Sequence, residues 1–288
     1  MAKRMLKSQH RGFTLIELVT VIVVLGIVSV GISGFLRSGF QIYSDANERQ
    51  QLLSESHFLV ERLNRELRMA IPNSVRTFYD AATQVQCLEF VPALWASFYT
   101  RLPVLPSVAT QARIVELPKD GSYSFQVGDF AFVYPTSTHD VYDASQLKRR
   151  TVLACSDEFN SEGNPDGDGD CNNFDSVSHT AELTLNGAFA DESPASRMYF
   201  GRNTVSFCAG NGMIYRREDN INTVQSAYLA GDIMAQHLSN DMSDLNQLPF
   251  TVSGAVLSRN SLVQILLAFE HNEERLDYNI EVHIPNVP

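Results

Sequence analysis

Gly12-Phe13-Thr14-Leu15-Ile16-Glu17 opens the stretch that decides the fold. From Phe13 to Leu36 the chain runs 24 residues with one charge, Glu17. At about 1.5 Å per residue this predicts a helix of roughly 36 Å, long enough to cross a bilayer core with some tilt. Lys3, Arg4, Lys7 and Arg11 precede it without a single acid. A carboxylate at depth in lipid costs at least ~2.5–3.5 kcal/mol, so Glu17, one turn inside the apolar run, calls for a partner. The plainer alternative is an acid in the first helical turn, favoured by the helix dipole and snorkelling to the surface.

Charge is divided across this run. The chain of 288 residues carries −11, and because its first twelve residues are basic the remainder carries −15. An acidic body argues against nucleic acid or anionic lipid as a partner. The basic flank predicts a cytoplasmic N-terminus and an exported body. The run is too long for an ordinary secretory signal, and no Ala-x-Ala site follows it.

These N-terminal residues resemble the leader and stem of type IV prepilins and of type II secretion pseudopilins. In that family a basic leader ends in Gly, a prepilin peptidase cuts before Phe, and the new amine is methylated. Gly12 and Phe13 match the processing residues and Glu17 matches the acid at the fifth mature position. The resemblance implies that Glu17 pairs with the Phe13 amine of a neighbouring subunit, a pair much stronger in low dielectric than in water. It divides the chain into a leader (1–12), a transmembrane stem (13–36), an amphipathic half-helix (37–72) and a β-rich periplasmic domain (73–288). The expected fold is α+β and pilin-like: a long N-terminal helix packed on a C-terminal antiparallel β domain.

Gly26, Gly31 and Gly34 leave room for local loosening of the stem and for close helix approach, and Gly39 marks its exit from the bilayer. Beyond it, Leu52, Ser56, Leu59, Leu63, Leu67 and Ala70 recur at helical spacing until Pro72 stops the helix. Gln86–Pro92 and Asp129–Tyr134 read as strands. Trp95–Tyr99, followed by Pro103 and Pro106, reads as a surface loop, with Phe98 and Tyr99 either a contact patch or core. Asn203–Ala209 and Met213–Arg216 flank Gly210-Asn211-Gly212 and predict a hairpin. Tyr228–Leu238 reads as a short helix, and Phe250–Leu257, Leu262–Phe269 and Leu276–Ile284 as a three-strand meander with one wet face.

Cys87, Cys155, Cys171 and Cys208 all fall on the exported side, where two disulfides are expected in one of three pairings. Cys155–Cys171 is the favoured pair, which leaves Cys87 with Cys208 unless these are free core cysteines. The segment 155–171 holds six acids and no base. Asp166, Asp168 and Asp170 alternate like the start of a calcium-binding EF-hand loop. Cys171 and Val177 stand where that loop needs Gly and Glu, which excludes a complete EF-hand. A looser calcium site, as some pseudopilins have, and a solvated acidic loop both remain open; no other cofactor is expected.

The seven histidines are scattered, and HExxH, GxSxG, P-loop and GxGxxG patterns are absent from the sequence, so no enzyme is expected. His283 falls on the wet face of the last strand. Asn203–Arg216, Gly254–Phe269 and the ending Ile280–Pro288 resemble the MshO family of MSHA pilus biogenesis minor pilins, related to PilW-like minor pilins and J-type pseudopilins. That resemblance implies a subunit of the initiating complex of an MSHA-type attachment pilus. Its partners would be the prepilin peptidase, the major pilin, other minor pilins and the inner-membrane assembly platform. The retained Glu17 argues against a K-type tip subunit. A J-type subunit of a type II secretion system is the alternative, and a signal-anchored periplasmic enzyme or binding module is the alternative from another class.

Overall fold

A computed structural model describes residues 14–116, 123, 125–157, 180–254, 261–272 and 274–285. The chain divides into two compact units, Met1–Gln51 and Leu52–Pro288. Helix α1 spans Leu15–Arg68 without interruption. It passes through Gly26, Gly31 and Gly34, and a Cβ at any of them would meet nothing within 4 Å. The layout is α+β, a long apolar N-terminal helix followed by antiparallel sheets, and it is consistent with a pilin-like fold.

In the second unit α1 shows one apolar stripe: Leu52, Ser56, Leu59, Leu63 and Leu67 are buried at three- and four-residue steps. The helix ends at Arg68, before Pro72, because a residue preceding proline is driven out of the helical region. Met69 and Ala70 close the last turn with bonds to the carbonyls three residues back. Ile71 then donates to the Val91 carbonyl at 2.9 Å, so the chain leaves the helix as an extended bridge partner.

A five-stranded sheet lies against this stripe, in the order β1 (Arg76–Asp80), β2 (Val85–Phe90), β9 (Thr204–Gly210), β10 (Met213–Asp219) and β11 (Asp232–Ala235). A three-stranded meander, β12 (Phe250–Ser253), β13 (Ser261–His271) and β14 (Glu274–Ile284), joins the same core. Leu88, Phe90 and Phe207 from the first sheet, and Val263, Leu267 and Val282 from the second, pack with Leu59, Leu63 and Leu67. Along β14 the even-numbered residues from Leu276 to Ile284 turn inward and Asp277, Asn279, Glu281 and His283 stay wet, the alternation expected of a one-sided sheet.

Between β2 and β9 the chain builds a closed six-stranded barrel, in the order β3 (Trp95–Arg101), β4 (Gln111–Val115), β7 (Thr180–Leu185), β6 (Arg149–Asp157), β5 (Phe130–Phe132) and β8 (Arg197–Gly201). Its first and last strands are antiparallel neighbours, Trp95 opposite Phe200, so the chain leaves and rejoins the main sheet at one place. Gly201 marks that return: a Cβ there would lie 2.8 Å from Val91 Cγ1. Small helix α2 (Thr138–Tyr142) packs Tyr142 against Ile71 and Val91 outside the barrel.

Two expectations are corrected. Trp95–Tyr99 is not a surface loop but the start of β3, because Ser97 and Tyr99 turn into the barrel and the prolines fall after the strand. Phe98 on its outer side is 51% exposed, and Tyr99 is core. Tyr228–Leu238 is not helical. Gly231, at φ +106°, turns the chain so that Asp232–Ala235 pairs with β10. The β9–β10 hairpin forms with positive φ at both Asn211 and Gly212, as a two-residue turn demands.

Candidate functional site: an apolar stem with one acid at its start

α1 begins where Thr14 precedes a run with strong helical and hydrophobic character. The Glu17 amide donates to the Thr14 carbonyl at 3.1 Å and to its hydroxyl at 3.3 Å, which satisfies a donor the helix start would orphan. Glu17 is exposed, and no described residue pairs with its carboxylate. Leu15, Ile16, Val23, Ile27, Phe35 and the other large apolar residues of this stretch are likewise exposed. The helix is long and apolar enough to cross a membrane, and none of its most apolar window is buried. A continuous surface of this kind requires lipid or other helices around it.

Gly12 and Phe13, the expected processing residues, lie outside the described residues, immediately before Thr14. Asp166, Asp168, Asp170 and Cys171 also lie outside them. Cys155 is disulfide-bonded. Cys87 on β2 and Cys208 on β9 are directly opposite and joined by a disulfide, both wholly buried. Among the described residues, no three His, Cys, Asp or Glu side chains come close enough to hold a metal ion. His283 is exposed on β14, while the rings of His237 and His271 meet at a tilt of 43° with centres 4.0 Å apart.

Sequence reading missed a charged cleft of about 420 Å³ beside the end of α1, between Arg65, Met69, Leu94, Arg202, Arg216 and Glu218. Arg216 bonds Glu66 of α1 at 3.0 Å and Glu218 at 3.0 Å, tying the helix to β10. Arg202 bonds the buried Asp129 at 2.6 Å. Burial pushes that carboxyl's pKa up, but the Arg202 guanidinium, the Tyr123 hydroxyl and the Gln126 amide outweigh it and hold it below the carboxylate range. No spacing in the sequence relates these residues, since the barrel alone brings position 129 to position 202.

Residues 7–33 match the family description "prokaryotic N-terminal methylation motif". The match takes in Gly12, Phe13, Glu17 and the opening turns of α1. No curated protein and no solved structure matched the chain. The motif supports a type IV pilin or pseudopilin, and it implies cleavage by a prepilin peptidase and assembly with other pilins. With the apolar helix, it supports anchoring in a membrane.

Proposed function

We propose that the chain is a minor pilin that takes part in initiating an MSHA-type type IV pilus used in surface attachment. The observation that carries this reading is Glu17, unpaired among the described residues and four positions after Phe13 in an exposed apolar helix. Cleavage after Gly12 creates a cationic amine on Phe13. The amine of one subunit and Glu17 of the next neutralise each other in a medium where neither is tolerated alone. The pair fixes the stagger of adjacent stems.

In this reading the N-terminus lies in the cytoplasm and residues 73–288 lie in the periplasm of a cell with two membranes. The basic leader ahead of the stem and the acidic body behind it support that orientation. The barrel makes the head bulkier than uniform helical packing favours, which suits a low-copy subunit. The protein acts by assembly and not by catalysis.

The test is fractionation of cells expressing a tagged full-length chain. The account expects a small amount in sheared MSHA-type fibres, lost when the major pilin gene is deleted. Recovery only with secretion components, unaffected by loss of the major pilin, assigns the chain to a J-type pseudopilin instead.

A further inference from the structure

We propose that the segment 220–230 is a strap that seals the Cys87–Cys208 disulfide, and that this bond must form before the strap docks. Leu88 and Phe207 pack with the leucines of α1, so Cys87 and Cys208, next to them in their strands, point to the opposite face of the five-stranded sheet. There they lie beside Val85, and Ala227 and Leu229 of the strap pack over the group. A Cβ on Gly210 of β9 would stand 3.4 Å from Leu229 Cδ1, so this leucine sits directly on the sheet. Beneath it both cysteines are wholly buried.

The bonds of the strap trace its path. Leaving β10, the chain first reaches β1, where Arg76 donates to the carbonyls of Asn222 and Thr223 at 2.8 and 2.7 Å. It returns over β2, where the Gln225 side chain donates to the Cys87 carbonyl at 3.0 Å. Back at β10, Arg217 donates to the carbonyls of Ser226 and Tyr228 at 3.0 and 3.1 Å, with its guanidinium 3.4 Å from the centre of the Tyr228 ring. Gly231 ends the crossing, because a Cβ at its φ of +106° would collide with the Arg216 carbonyl.

Among the described residues, no backbone–backbone hydrogen bond ties the strap to a strand. Side chains hold it, so it can be released without breaking the ladders of the sheet. Thiol–disulfide exchange requires a thiolate to reach a sulfur, and the strap blocks that approach in both directions. In oxidation by a disulfide-bearing oxidant, one cysteine thiolate attacks the oxidant, and the second attacks the mixed disulfide. The oxidant then leaves as its dithiol, carrying both hydrogens. A mixed disulfide at either cysteine has no room beneath Ala227 and Leu229, which places docking of the strap after oxidation.

Reduction of the full-length protein in detergent micelles by dithiothreitol, without urea, tests this. Released thiols are alkylated and assigned to Cys87 and Cys208 by peptide mass, which keeps the bridge of Cys155 apart. Leu229→Ser thins the cover, and Arg217→Ala frees one end of the strap. Each should release these thiols about tenfold faster than the wild type or more, while the oxidised domain keeps its circular dichroism. Val263→Ala, in the core on the far side of the sheet, should stay at the wild-type rate. A wild-type rate in folded Leu229→Ser overturns the proposal, and that variant decides alone if Arg217→Ala does not fold. Equal acceleration by Val263→Ala also overturns it, because access would then come from unfolding of the whole domain.

Discussion

Gln86 on β2 pairs with the Phe250 backbone in both directions: its amide nitrogen donates to the Phe250 carbonyl at 2.8 Å, and its oxygen accepts from the Phe250 amide at 2.9 Å. A side chain thus takes the place of a neighbouring strand and joins the five-stranded sheet to the meander. Replacing it with Leu leaves a buried donor and a buried acceptor unpaired. Each costs about 1–3 kcal/mol, so Gln86→Leu should destabilise the β domain by about 2–6 kcal/mol in urea unfolding.

The Cys87–Cys208 bridge spans a sequence separation of 121 and encloses the whole barrel insertion. On the chain-entropy estimate, Cys87→Ala with Cys208→Ala lowers stability by about 4–5 kcal/mol. Both sulfurs are buried, so neither should be released by mild reductant until the domain unfolds. Thiol labelling at increasing urea, with and without reductant, reads this directly.

Asp129 makes the barrel end sensitive to acid. Its folded pKa lies below the ordinary 3.8, so on acidification the unfolded chain takes up this proton first. The contribution is complete above the ordinary value and is lost as pH falls through the lower folded value. Asp129→Asn should cost about 1.5–3 kcal/mol at neutral pH, by removing a charged hydrogen bond to Arg202. It should also flatten the fall in melting temperature between neutral pH and the acid limb.

The helix was legible because its signals are local. Leu59, Leu63 and Leu67 repeat at the helical period, and the hairpin at Asn211-Gly212 carries the residues that its positive φ angles require. The barrel was not legible. Its closure depends on β3 meeting β8 about a hundred positions later, and Trp95–Tyr99 between apolar and proline-rich neighbours has no distinctive local pattern. Tyr228–Leu238 misled for a related reason. Its apolar residues fit a helical turn, but Gly231 and the open edge of β10 drew four residues into a strand. Glu17 stood out because an acid in an apolar run conflicts with its surroundings. The cleft around Arg202 and Arg216 did not, because arginines in strands are ordinary until the fold gathers them.

Glu17→Ala separates processing from assembly. The variant keeps Gly12 and Phe13, so cleavage and methylation should proceed. In the proposed pairing it removes the carboxylate that meets a neighbour's amine, so recovery in sheared fibres should fall at least tenfold while the membrane-bound amount is unchanged. Wild-type recovery of this variant in fibres would contradict the pairing.

The most direct measurement is the N-terminal sequence and intact mass of the full-length protein extracted from membranes of cells with a working prepilin peptidase. The account predicts a chain beginning at N-methylated Phe13. A mature chain still carrying Met1–Gly12 would contradict it, because the amine that Glu17 is positioned to meet would never form.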